Sequence, residues 1–147
     1  MIVGLGNSGT EHQADRHNVG FWFVDHVAAA ESASFRREAR FQGDVAEIPG
    51  KHCRLLKPST YMNRSGLSVG ALLRYFRIPY PALLIVHDEL DLQAGVVRLK
   101  YGGGAGGHNG LSDIIAALGE RDFWRLRIGI GRPDAGVSGS AYVLHRP

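Results

Sequence analysis

The chain has 147 residues, with 17 Lys and Arg against 14 Asp and Glu for a formal net charge of +3. That length suits one hydrophobic core, and a composition 44% hydrophobic and 21% charged excludes a disordered chain. The lone Cys53 excludes a disulfide framework, and the longest apolar run, Pro81 to Val86, is far short of the roughly 20 residues that cross a bilayer. Met1 does not open a basic-then-apolar signal pattern, so the cytoplasm is the expected compartment and no membrane partner is expected.

Taken in chain order, Ile2, Val3 and Leu5 read as a short buried strand, broken at once by Gly6, Asn7, Ser8 and Gly9. Val19, Phe23, Val27 and Ala30 recur at three and four, which predicts a helix from Asn18 to Ser32 with Asp15 or Asn18 as N-cap and His17 at its start. A polar stretch with Arg36, Arg37 and Arg40 follows. Asp44–Ile48 and Cys53–Leu56 then read as two strands of a hairpin turned at Pro49-Gly50. Ser65 begins a second helix whose Val69, Leu72, Leu73 and Phe76 share a face, stopped by Pro79 and Pro81.

Leu83 to Val86 is continuously apolar, as in a strand covered on both faces, and it runs into the polar His87, Asp88, Glu89, Leu90 and Asp91. Val96–Leu99 is a further strand. Six of the 20 glycines crowd between Gly102 and Gly110, and a third helix follows, with Asn109 as cap and Gly119 as its end. Leu126–Ile130 is the last strand. Alternating strands and helices predict an α/β fold: a single domain with a mixed, largely parallel sheet and helices on both faces. Ligands of such sheets bind beyond the carboxyl ends of strands, which here means Asn7, Asp88 and the glycine loop that ends at His108-Asn109.

Four local patterns carry chemistry. GLGNSG at 4–9 matches a dinucleotide fingerprint, but residues 18–32 read as helix where that unit needs a second strand ending in an acid. GLSVG at 66–70 matches a nucleophile elbow and nominates Ser68, yet it falls inside a helical pattern rather than on a strand-to-helix turn. His87, Asp88, Glu89, Asp91 and His108 raise the question of a metal, but their spacing fits no zinc or calcium pattern; no metal and no cofactor are expected. His17 is the best general base, because a carboxylate such as Asp88 would fix its tautomer and steady the proton it gains.

NxGxxHxxDRHNVGF at 7–21, KPSTYMNRSG at 57–66, HDELD at 87–91, GGGAGGHNGL at 102–111 and RLRIGIGRP at 125–133 together resemble the bacterial peptidyl-tRNA hydrolase family, in order and at similar spacing. The resemblance implies a monomeric α/β enzyme that hydrolyses the ester between a peptide and the 3′-terminal ribose of tRNA, its nucleic-acid partner. Carried over residue by residue, it implies His17 as catalytic base, Asp88 as its partner, and Asn7, Asn63 and Asn109 as amides for the peptide and the oxyanion or water. Tyr61 and Met62 would offer an apolar wall, and Lys100 and Arg127 would grip a tRNA phosphate, with Arg98, Arg125 and Arg132 as neighbours. The chain is then a single such domain over 1–147. It departs from the family pattern at Ser8 (a proline in relatives), Asp15 (a threonine) and Ala105 (a histidine), and it stops at Pro147, where relatives continue into a C-terminal helical segment. Two other readings are a catalytically silent tRNA-binding remnant and a serine hydrolase using Ser68.

Overall fold

The computed structural model describes residues 1–8, 15–132 and 143–144; Gly9 and His12 of the first motif and Pro133 of the last lie outside them. Seven strands form one sheet: β1 (Ile2–Gly4), β2 (Arg36–Glu38), β3 (Gly43–Glu47), β4 (Arg54–Pro58), β5 (Leu84–Glu89), β6 (Val97–Tyr101) and β7 (Trp124–Gly129). Their order is β2-β3-β4-β1-β5-β7-β6. The four central strands run parallel, while β2, β3 and β6 are antiparallel to their neighbours. The expected hairpin is β3–β4. The sequence pattern missed β2, an exposed Arg-Arg-Glu edge strand held by backbone pairing to β3 rather than by apolar side chains.

Three helices cover the sheet: α1 (Val19–Ala30), α2 (Ser65–Phe76) and α3 (Asn109–Leu118). Strand residues alternate between faces. Ile2, Ala46 and Leu55 pack with Val27 and Ala28 of α1. Val3, Leu56 and Ile85 pack on the other side with Val69, Leu72 and Leu73 of α2 and Leu111 and Ile114 of α3. Helices therefore lie on both faces, and each fully buried Leu or Ile there contributes about 1.5–3 kcal/mol relative to exposure. α2 ends three residues before Pro79 because Arg77 adopts a left-handed conformation (φ 52). Among the described residues no helix is long and apolar enough to cross a membrane.

The parallel pairing of β1 with β5, Ile2 opposite Leu84 and Gly4 opposite Val86, brings the loop after β1 and the end of β5 out side by side. Gly20 lets α1 press onto this junction. A Cβ there would fall 2.5 Å from the carbonyl oxygens of both Leu5 and Val86 and 2.6 Å from the Leu5 nitrogen. The start of α1, with His17 just before it, is thereby seated against the top of β5.

Candidate active site

His17 lies in a short 3-10 turn, Arg16–Asn18, that leads into α1, and it is buried. The expected helix start at Asn18 is one residue before the observed start at Val19. Neither Asp15 nor Asn18 caps the helix with its side chain. Asn18 does something else: its Oδ1 accepts the Asn7 N–H at 2.6 Å and its Nδ2 donates to the Asn7 carbonyl at 3.0 Å. The loop after β1 is therefore tied to the residue that follows His17.

Asp88, near the end of β5 and only 4% exposed, sits between two imidazoles. Its Oδ1 accepts from His17 Nδ1 at 2.8 Å and from His108 Nε2 at 2.7 Å. A bond to a carboxylate requires a proton on His17 Nδ1, which leaves Nε2 as the basic nitrogen. For His108 the assignment is independent: its Nδ1 accepts the Leu111 N–H at 3.1 Å, so Nε2 carries the proton. That bond makes His108 the N-cap of α3, correcting the expectation that Asn109 would be; Asn109 is the first helical residue. The signal was hidden because imidazole is not among the usual cap side chains.

Burial alone would raise the pKa of Asp88. The charge and hydrogen bond of His108 and the bond and charge of His17 outweigh it, and the carboxyl is held well below the usual carboxylate range. His87, the preceding residue, faces the opposite side of the sheet. Its Nδ1–H donates to the Asp88 carbonyl at 2.8 Å, and burial first, then the His108 charge, pushes its pKa down to about 3. It is a neutral structural imidazole.

A cavity of about 270 Å³ opens onto His17, Asp88, Gly107, His108 and Asn109. Asn7 lines a different hollow, of about 520 Å³, together with Ser8, Tyr61, Arg64 and Leu67. Asn63 is exposed on the 3-10 turn Met62–Arg64, and Tyr61 is 80% exposed. Met62 is not a wall residue as expected: it is buried in the core cluster, its sulfur lying where a Cβ on Gly110 would come within 2.5 Å. A third cavity, also about 270 Å³, brings Lys100 and Arg127 together with Glu89 and Asp91. Arg127 is paired there with Glu89 at 3.0 Å, and Arg132 pairs with Asp91. Arg98 stands opposite Arg127 in the β6–β7 register.

His17, Asp88 and His108 offer ligand atoms within 4.8 Å of one another, the one grouping of this kind among the described residues. A metal ligand needs a free lone pair, whereas His108 already turns a protonated Nε2 toward Asp88. The arrangement is that of a hydrogen-bonded relay. Ser68 lies inside α2, wholly buried, with no hydrogen-bond partner for its Oγ among the described residues. That environment gives it neither a base nor access to substrate.

An α/β sheet that presents an imidazole hydrogen-bonded to a buried carboxylate, beside a cavity lined by Lys100, Arg127, Glu89 and Asp91, has the parts that a hydrolase acting by general-base catalysis requires. The comparisons narrow that class. The family model for peptidyl-tRNA hydrolase matches residues 1–147, and the chain belongs to that family. It is 54% identical over 155 residues to the peptidyl-tRNA hydrolase of Polynucleobacter asymbioticus, covering all of this chain and 79% of that protein. Against the Neisseria meningitidis enzyme the figures are 50% over 149 residues, with 78% of that protein covered. The crystal structure of peptidyl-tRNA hydrolase from Acinetobacter baumannii matches the fold with a TM-score of 0.94 at 48% identity, over 99% of this chain and 75% of that one.

Proposed function

We propose that this chain hydrolyses the ester linking a peptide, or an N-blocked amino acid, to the 3′-terminal ribose of tRNA. The observation that carries the reading is the 2.8 Å bond from His17 Nδ1 to Asp88 at the edge of the cavity lined by Asn109. Water lying against His17 Nε2 gives up a proton as its oxygen attacks the ester carbonyl; Asp88 stabilises the imidazolium that forms. The tetrahedral intermediate then expels the ribose oxygen, which recovers the proton from His17. An ester is reactive enough for this route: base catalysis supplies about 10²- to 10⁴-fold, and amide donors to the oxyanion about 10²-fold more. Asn7, Asn63 and Asn109 are the amides for the peptide backbone and oxyanion, and Lys100 and Arg127 are the cations for the terminal phosphate.

The test is turnover of N-blocked aminoacyl-tRNA by the whole chain. Free tRNA is the expected product, and His17→Ala is expected to lower kcat by at least ~10²-fold. Salt-sensitive binding without turnover would select the silent tRNA-binding reading instead, and equal activity of wild type and His17→Ala would refute the mechanism.

A further inference from the structure

Arg125 is the largest fully buried side chain among the described residues, 1% exposed, on the sheet face it shares with Ile85, His87 and Arg127. A guanidinium out of water is costly unless its donors are used. Here Nη1 donates to the Gly104 carbonyl at 2.9 Å, and Nη2 to those of Gly103 and Arg121 at 2.8 Å each; the fork lies over the Phe123 ring at 4.4 Å. All these acceptors are backbone carbonyls. The loop they belong to needs an external hold: Gly102, Gly103, Gly106 and Gly107 sit at φ 72, 96, 58 and 83, and such a run has more conformational freedom to lose than any other sequence. One end of it carries Lys100, whose Nζ would be 2.8 Å from a Cβ on Gly103; the other end carries His108 and Asn109.

We propose that Arg125 is a positioning residue rather than a phosphate contact: its guanidinium clamps the Gly103 and Gly104 carbonyls and holds the glycine loop in the curve that ends at His108 and Asn109, while Lys100 keeps its place through the β6–β7 pairing. The kinetic consequence rests on the hydrolase reading above; the clamp itself does not. A lysine keeps the charge but not the planar fork, so Arg125→Lys tests shape against charge.

Two substrates separate the alternatives: N-blocked aminoacyl-tRNA, and an N-blocked aminoacyl-adenosine that has the ester but no phosphate. For a clamp, Arg125→Lys and Arg125→Met lower kcat/KM on both substrates by about 10- to 100-fold, the scale of a misplacement of about 1 Å. Hydrogen exchange of the 102–107 amides quickens in both variants, and the slope of log KM against log salt stays at the wild-type value. Lys100→Ala is the comparator, with that slope reduced by about 1. Arg125 variants that lose activity only on tRNA and show the reduced slope would overturn the proposal, as would unchanged loop exchange. If the wild type cleaves neither substrate, the hydrolase reading fails while the exchange measurement still decides the clamp. Arg125→Lys, which preserves the charge and the apolar stem, supplies folded protein for that measurement if Arg125→Met does not fold.

Discussion

Replacing Asp88 by Asn is the sharpest test of the relay, because it keeps the size of the side chain and removes its charge. In the wild type one buried oxygen accepts two N–H groups, from His17 at 2.8 Å and from His108 at 2.7 Å. As the reaction proceeds the His17 ring becomes cationic. A unit charge pair about 4 Å apart at an effective dielectric of about 20 is worth about 4 kcal/mol. At about 1.4 kcal/mol per tenfold in rate, full loss of that term corresponds to roughly a 10³-fold fall in kcat. The amide offers a second fault: with its NH₂ turned toward His17 Nδ1, it moves the imidazole proton onto Nε2, the nitrogen the reaction needs bare. KM for tRNA is expected to stay within about threefold of wild type, because Lys100 and Arg127, the cations proposed for the phosphate, line an adjoining cavity to which Asp88 does not contribute. Steady-state kinetics on N-blocked aminoacyl-tRNA, with melting curves to confirm folding, decide the matter. A kcat within about fivefold of wild type would refute the claim that Asp88 sustains the charge on His17.

Two further outcomes follow from packing and from proton linkage. Gly20→Ala drives a methyl onto three backbone atoms 2.5–2.6 Å away and is expected to cost about 3 kcal/mol or more, a fall of roughly 10 °C in Tm for this length, with loss of kcat as the His17 turn is pushed outward; an unchanged Tm would contradict the close seating of α1. His87 is neutral in the fold down to about pH 3, whereas an unfolded histidine takes a proton below about 6.5, so the unfolded state binds the extra proton and stability falls as pH drops between those values. Its share is up to about 1.4 kcal/mol per pH unit, and urea unfolding from pH 6.5 to 4.5 should show a shallower slope in His87→Gln by about one proton; equal slopes would refute it.

Periodicity made α1, α2 and α3 legible, and the β3–β4 hairpin followed from turn chemistry, because those elements bury apolar side chains at regular spacing. β2 was not legible: Arg36–Glu38 owes its conformation to backbone pairing with β3, which leaves no mark in side-chain character. The His17–Asp88 pair was reached through blocks of sequence matching together, since each residue alone has an ordinary structural reading. What escaped were contacts made by residue types outside their usual roles: His108 as a helix cap, Asn18 as a bracket on a neighbouring loop, Arg125 as a buried fork under glycines. One signal for Arg125 was present. The alternation Arg-Leu-Arg-Ile on β7 puts residue 125 on the same sheet face as Ile85, where a charged group must find partners or be excluded.

The double hydrogen bond from Asn18 to Asn7 has a mechanical consequence. In the mechanism proposed above, His17 takes the proton and Asn7 holds the acyl group, and their segments are riveted to each other through adjacent residues 17 and 18. Under the proposed mechanism such a tie makes displacements of the first loop carry the imidazole along, so that the space for the attacking water would keep its width. A substitution that cut this tie would leave both groups in place on average while letting their separation wander.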